Sequence, residues 1–236
     1  MCRLIGYRGR SEADLKHLYA AFQTGSGCDP YLAPAGMSQT CHPHGYGYVI
    51  FDTEKGLHHF RSERPAYEEP APLPPVKGLV YAVFHSRLAS DPNLSGHIFS
   101  HPFMAATQKG ALFLAHNGGV EPDQLPGRMV DSEWALQRIV DAGSIEGALP
   151  LLKSRTKKDS ALNLMLLAIP RAGGTQPSLY YLNYYQTDNP GKQDYYRMFW
   201  GDMPGGKVVF SSTFKDLAIP GLGEATPAPF GELKEL

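Results

Sequence analysis

Two apolar runs constrain this chain more than any other feature. Leu79-Val80-Tyr81-Ala82-Val83-Phe84 and Ala111-Leu112-Phe113-Leu114-Ala115 have almost no polar side chains, as in strands covered on both faces. Each runs directly into polar residues, His85-Ser86-Arg87 and His116-Asn117-Gly118, so polar groups gather at the ends of buried strands. Further strands are expected at Cys2–Tyr7, Gly45–Phe51, Leu57–Arg61, Leu162–Ile169, Leu179–Tyr185, Arg197–Trp200 and Val208–Ser211. Helical spacing appears at Leu15, Leu18, Tyr19 and Phe22, where Ser11 serves as N-cap and the helix ends near Gln23. Two more helices follow one another, Asp131–Val140 and Ser144–Lys153. Strands, then helices, then strands again predict an α+β domain of stacked sheets.

The connecting segments are less regular. Thr24–His44 and Asp91–His101 read as loops, and the prolines at 65, 70, 72, 74 and 75 mark an extended surface connection. The tail beyond Pro220, rich in Gly and Pro, is expected to wrap the surface. Tyr180, Tyr181, Tyr184, Tyr185, Tyr195 and Tyr196 fit aromatic pairing between facing strands. Cys28, Cys41, His42 and His44 are the residue types of a mixed zinc site, but no C-x-x-C is present and the histidines are too close together. They read as incidental groups of an irregular loop, and no metal or organic cofactor is expected.

Composition narrows the function classes. With 42% hydrophobic and 19% charged residues, the 236-residue chain suits a packed globular core. A net charge of -1 gives no reason to expect a nucleic-acid or acidic-membrane partner. The longest fully apolar stretch, Leu164–Ile169, is too short to span a bilayer, and positions 1–25 lack the pattern of an export signal. Cysteines at 2, 28 and 41 give no even disulfide framework, so a reducing cytoplasm is expected.

The polar groups at the strand ends each have a structural and a chemical reading. Arg87 is either a surface ion-pair partner or a fork for a carboxylate. Asn117-Gly118 is either the favoured two-residue hairpin turn or, with a side-chain amide and a backbone N–H aimed at one point, an oxyanion hole. Asp131 or Ser132 caps the helix they open, or Asp131 faces a cleft and holds an ammonium. His101, held extended by Pro102, is a loop histidine or a site imidazole. Cys2 is an ordinary small residue opening a strand, or a nucleophile. In the second case, removal of Met1 leaves thiol and α-amine on one residue, and an α-amine that titrates at about pH 8 can take the thiol proton. A carboxylate clamp, an ammonium acceptor, an oxyanion hole and a thiol together describe a site for an α-amino acid with a side-chain amide, and glutamine is the obvious candidate.

Cys2, His44-Gly45-Tyr46-Gly47, Ser86-Arg87-Leu88-Ala89-Ser90, His101-Pro102-Phe103, His116-Asn117-Gly118 and Asp131-Ser132-Glu133 occur in the order and with the spacing of the class II glutamine amidotransferases, which are N-terminal-nucleophile (Ntn) hydrolases. The chain resembles the stand-alone, single-domain branch of that family, and Ser211-Ser212 resembles a weaker late motif. The resemblance implies one domain over residues 1–236, folded as a four-layer αββα sandwich of two mainly antiparallel sheets. It makes Cys2 the nucleophile and its freed amine the base, Asn117 and Gly118 the oxyanion hole, and Arg87, Ser90 and Asp131 the substrate contacts. Synthase members often carry Trp and Thr where this chain has Leu88 and Ser90, and Trp is common at Tyr46. These departures fall on the substrate's outer contacts. Three functions follow: a glutaminase feeding ammonia to a partner protein, a free-standing amidohydrolase acting on a γ-glutamyl amide in a larger molecule, or a catalytically silent binding or scaffold protein.

Overall fold

The computed structural model describes residues 1–124, 129–171, 174 and 176–236. In chain order the first half holds β1 (Cys2–Gly9), α1 (Glu12–Gly27), β2 (Tyr46–Asp52), β3 (Gly56–Ser62), β4 (Val80–Arg87), β5 (Phe103–Thr107) and β6 (Gly110–Gly118). The second half holds α2 (Asp131–Ala142), α3 (Ile145–Ser154), β7 (Ser160–Pro170), β8 (Ser178–Leu182), β9 (Tyr185–Gln186), α4 (Pro190–Tyr196), β10 (Met198–Met203), β11 (Gly206–Ser211), β12 (Thr226–Pro227) and β13 (Leu233–Glu235).

The strands form two antiparallel sheets, ordered β12-β10-β11-β1-β4-β2-β3 and β13-β8-β7-β6-β5, with β9 pairing beside β7. β1 lies mid-sheet between β11 and β4, so both of its edges are hydrogen-bonded.

The alternation of side chains along each strand explains the layering. Ile5, Tyr7, Tyr46, Tyr48 and Phe84 point outward and pack under Leu15, Leu18 and Phe22 of α1. Their neighbours Leu4, Val49, Tyr81, Val83 and Val209 point inward against Phe113, Ala115, Met165 and Leu167 of the second sheet. On that sheet's far side Leu114, Leu162, Leu164 and Leu166 lie under Trp134, Leu136 and Ile139 of α2 and Ile145 and Leu152 of α3. The result is a four-layer αββα sandwich. Gly6 faces the second sheet at close range: a Cβ there would stand 3.0 Å from the Met165 sulfur.

Several expectations change. α1 continues to Gly27, one turn past Gln23, since Ala21, Gly25 and Ser26 are also buried. Phe103–Thr107, for which the sequence predicts no element, is an edge strand, and its exposed Met104 interrupts the apolar pattern that would have signalled it. Asn117-Gly118 is not a hairpin turn. It closes β6 in register with Asn163 and Leu162, and the connection to β7 runs through α2 and α3. Tyr195 and Tyr196 belong to the short helix α4, opened by Asn189 and Pro190, not to facing strands. The tail does more than wrap the surface, because β12 and β13 add an edge strand to each sheet.

Leu167 is fully buried midway between the sheets. Leu167→Ala is expected to destabilise the fold by about 2–5 kcal/mol. Denaturant unfolding measures this, and a loss below about 1 kcal/mol would contradict the layer assignment.

Candidate active site

Alternation places Cys2 and Leu4 on the inner face of β1, and His85 and Arg87 on the inner face of β4. Cys2 and Arg87 are direct partners in the β1–β4 ladder, so nucleophile candidate and guanidinium enter the space between the sheets side by side. Asn117 does the same from the second sheet. Its Oδ1 accepts a hydrogen bond from the Cys2 backbone N–H at 2.8 Å, joining the two sheets at this end. A backbone N–H only donates, so this bond fixes which way the amide points. Nδ2 faces the other way, buried and with no hydrogen-bond partner among the described residues.

Gly118 follows with φ 147°, and a Cβ there would lie 1.8 Å from the Ala161 carbonyl oxygen. Only glycine fits that position. The backbone then passes the Asp131 carboxylate, whose Oδ2 accepts from the Val120 N–H at 3.1 Å. Neither Asp131 nor Ser132 caps α2, as the sequence had suggested: Val130 holds the N-cap position, and the Glu133 carboxylate accepts from its N–H at 3.1 Å. Ser132 meets His116 Nδ1 at 3.0 Å. Asp131 and Ser132 thus turn toward the end of β6.

Arg87 is only 7% exposed. One Nη1 hydrogen donates to the Leu94 carbonyl at 2.6 Å. No carboxylate among the described residues lies within ion-pair distance of it. Burial lowers its pKa, opposed by the nearby Cys2 and Asp131. A buried guanidinium without a counter-ion is costly, and an anionic ligand would relieve that cost. Ser90 lies exposed beyond this buried cluster.

Cys2 is held at both ends of its backbone. Its carbonyl accepts from the Tyr195 hydroxyl at 3.0 Å. Tyr195 in turn stacks under the guanidinium of Arg3, whose carbon stands 3.8 Å from the ring centre. Arg3 is fully buried and grips Asp29 through Nε and Nη2 at 2.5 and 2.9 Å. Asp29 also accepts from Thr213 at 2.5 Å and from His42 Nε2 at 2.7 Å. Burial alone would raise the Asp29 carboxyl, but Arg3 and His42 outweigh it and hold it well below the usual carboxylate range. Burial pushes His42 down to about 4, so it is a neutral donor in this network. Arg3 could have been suspected from its position, a charge inside an otherwise apolar strand. Nothing in the spacing pointed to Asp29 or Tyr195.

A buried imidazole cluster flanks the site. His101 stacks on His85 with ring centres 4.0 Å apart, and His85 Nε2 lies 3.3 Å from the His116 carbonyl oxygen. Burial pushes His85 down to about 3 and also lowers His101 and His116. His101 is a loop residue, at the bend before β5, and its imidazole is buried and neutral. No group of three or more His, Cys, Asp or Glu among the described residues is arranged to hold a metal.

A groove of about 670 Å³ lies elsewhere, at the Gly110 end of β6 between the second sheet and the α2–α3 junction. None of the predicted site residues lines it.

No protein-family model and no curated protein matches the chain. Solved structures do. Glutamine phosphoribosylpyrophosphate amidotransferase from B. subtilis, complexed with ADP and GMP, is similar at TM-score 0.63 and 20% identity over 98% of this chain and 46% of that one. A structure described as the allosteric regulatory enzyme of purine biosynthesis is similar at TM-score 0.57 and 20% identity, with the same coverages. The chain thus spans less than half the length of these neighbours, and the likeness is one of fold.

His42, His85, His101 and His116 are kept neutral by burial. Below about pH 6.5 the unfolded chain binds protons that the folded one refuses. Stability is therefore fully present above that pH and falls as pH drops, by up to about 1.4 kcal/mol per pH unit for each histidine. Unfolding free energy measured from pH 7 to pH 4 should decline throughout, and a flat profile would contradict the neutral-cluster assignment.

Proposed function

We propose that residues 1–236 form a class II glutamine amidotransferase-type domain, an amidohydrolase that uses Cys2 to cleave the side-chain amide of glutamine or a γ-glutamyl compound. The observation that carries this is the pairing of Cys2 with a buried Arg87 that has no carboxylate partner among the described residues, beside an Asn117 amide N–H₂ that has no acceptor among them. A thiol and a buried cation on paired residues, with an unsatisfied donor on the adjoining Asn117, call for a ligand with a carboxylate and an electrophilic carbonyl. The sandwich fold shared with the glutamine phosphoribosylpyrophosphate amidotransferase supports the same reading.

The steps follow from those groups. Removal of Met1 turns the Cys2 backbone nitrogen into an α-amine, which Asn117 Oδ1 already faces. Arg87 binds the substrate α-carboxylate and Asp131 its α-ammonium, with Ser90 at the outer edge. The amine takes the thiol proton, and sulfur attacks the δ-carbonyl carbon. Asn117 Nδ2 and the Gly118 N–H receive the charge that develops on oxygen. The C–N bond breaks, the α-ammonium protonates the departing nitrogen, and water hydrolyses the γ-glutamyl thioester to glutamate and free thiol.

No helix among the described residues is long and apolar enough to cross a membrane. We place the reaction in a reducing cytoplasm, where the thiol stays free.

Glutamate release from glutamine tests the reading. Cys2→Ala should abolish it. Asn117→Ala should lower kcat by about 10²–10³-fold, the effect of losing one oxyanion donor. Arg87→Lys should act mainly on KM, raising it about 10–100-fold, since a charge-assisted hydrogen bond contributes about 1.5–3 kcal/mol. Unchanged turnover in folded Cys2→Ala would favour the silent binding protein instead.

A further inference from the structure

Met1 is not a loose end. Its amine donates to the Leu88 carbonyl at 2.9 Å, and its own carbonyl accepts from the Leu88 N–H at 2.8 Å. Its sulfur accepts from the Tyr196 hydroxyl at 3.1 Å. The side chain packs on a buried cluster of Leu32, Ala35, Leu88, Ala161, Tyr195 and Tyr196 at the Cys2 end of the sandwich. Methionine thus occupies an apolar, aromatic-walled site with a strand-like backbone pairing along one side.

The proposed chemistry requires Met1 to leave, and the inference rests on that reading. Departure frees the Leu88 N–H and C=O, the Tyr196 hydroxyl and the apolar wall together. It also determines what sits there next. The α-amine must protonate the departing nitrogen, so that nitrogen lies within about 2.6–3.2 Å of the Cys2 nitrogen. The Met1 carbonyl carbon is bonded to the same Cys2 nitrogen, at about 1.33 Å. Substituents on the departing nitrogen are therefore within reach of the ground Met1 held.

We infer that the site of Met1 becomes the leaving-amine subsite of the mature enzyme, and that it selects γ-glutamyl amides of apolar or aromatic amino acids over free glutamine. The amino acid's side chain takes the place of the methionine side chain. Its carboxyl or carboxamide oxygen takes the place of the Met1 carbonyl against the Leu88 N–H. Ammonia, the leaving group of glutamine, fills none of this space. The reaction balances as before: the γ-glutamyl C–N bond breaks, the thioester forms and is hydrolysed, and the amino acid departs with the proton from the α-ammonium.

The test uses full-length protein shown by intact mass to lack Met1. Its kcat/KM is measured on glutamine, γ-glutamyl-glycine, γ-glutamyl-methionine and γ-glutamyl-phenylalanine. The methionine and phenylalanine amides should exceed the glycine amide about 10–100-fold, the worth of burying one such side chain at about 1.5–3 kcal/mol. Leu88→Ala, which thins the wall and keeps the backbone pairing, should reduce that ratio several-fold. If Leu88→Ala does not fold, Tyr196→Phe, which removes only the freed hydroxyl, is expected to lower the methionine-to-glycine ratio. Equal rates on the glycine and methionine amides, with glutamine still hydrolysed, would overturn this inference alone. A preference that neither variant alters would place the subsite elsewhere and also overturn it. No Cys2-dependent turnover of any of the four would instead remove the amidohydrolase reading beneath it.

Discussion

A hydrogen bond from the Cys2 N–H to Asn117 Oδ1 joins the two sheets at the end where the chemistry is placed. Cys2 begins the strand in the middle of one sheet, and Asn117 nearly ends β6, the strand one in from the edge of the other. Because one partner can only donate, the bond orients the whole Asn117 amide and leaves its N–H₂ facing away from Cys2. The same nitrogen that donates here becomes the free amine if Met1 is removed. One contact therefore positions the nitrogen proposed as the base and orients the amide proposed as the oxyanion donor.

The surroundings reinforce that placement from the other side of β1. Residues 2 and 3 alternate across the sheet, so the strand that sends Cys2 inward sends Arg3 outward. Arg3, fully buried, ties Asp29 of the loop after α1 to Tyr195 of α4, and Tyr195 returns to the Cys2 carbonyl. Buried charge of this kind adds little net stability, since desolvation offsets the attraction. Its effect here is positional: three segments far apart in sequence converge on the backbone of one residue. Neutral imidazoles fill the adjoining space between the sheets, so the flank of the site is polar but uncharged at neutral pH.

Much of this was legible in the residues, for physical reasons. Strands buried on both faces announce themselves by unbroken apolar composition, and β4 and β6 were found that way. α1, α2 and α3 follow from helical spacing and from Ser or acidic residues at their starts. Arg87, Asn117, Gly118 and Asp131 stood out because polar groups that close buried strands need a reason to be there. What escaped was carried by short or half-exposed pieces. β5 is an edge strand with an outward methionine, α4 spans Pro190–Tyr196 among tyrosines that looked strand-like, and β12 and β13 are too short for any period. The pairing of Arg3 with Asp29 is a tertiary contact with no local signature. Local capping logic also misassigned Asp131 and Ser132, whose side chains are claimed by Val120 and His116.

The central claim is that a Cys2 freed of Met1 stands in a pocket shaped for the head of glutamine. Exposure to 6-diazo-5-oxo-L-norleucine, an electrophilic glutamine analogue, followed by intact and peptide mass analysis, tests it most directly. One adduct per chain is expected, on an amino-terminal Cys2, with protection by excess glutamine. A chain that retains Met1, or that takes up the label on Cys28 or Cys41 with Cys2 unmodified, would contradict it.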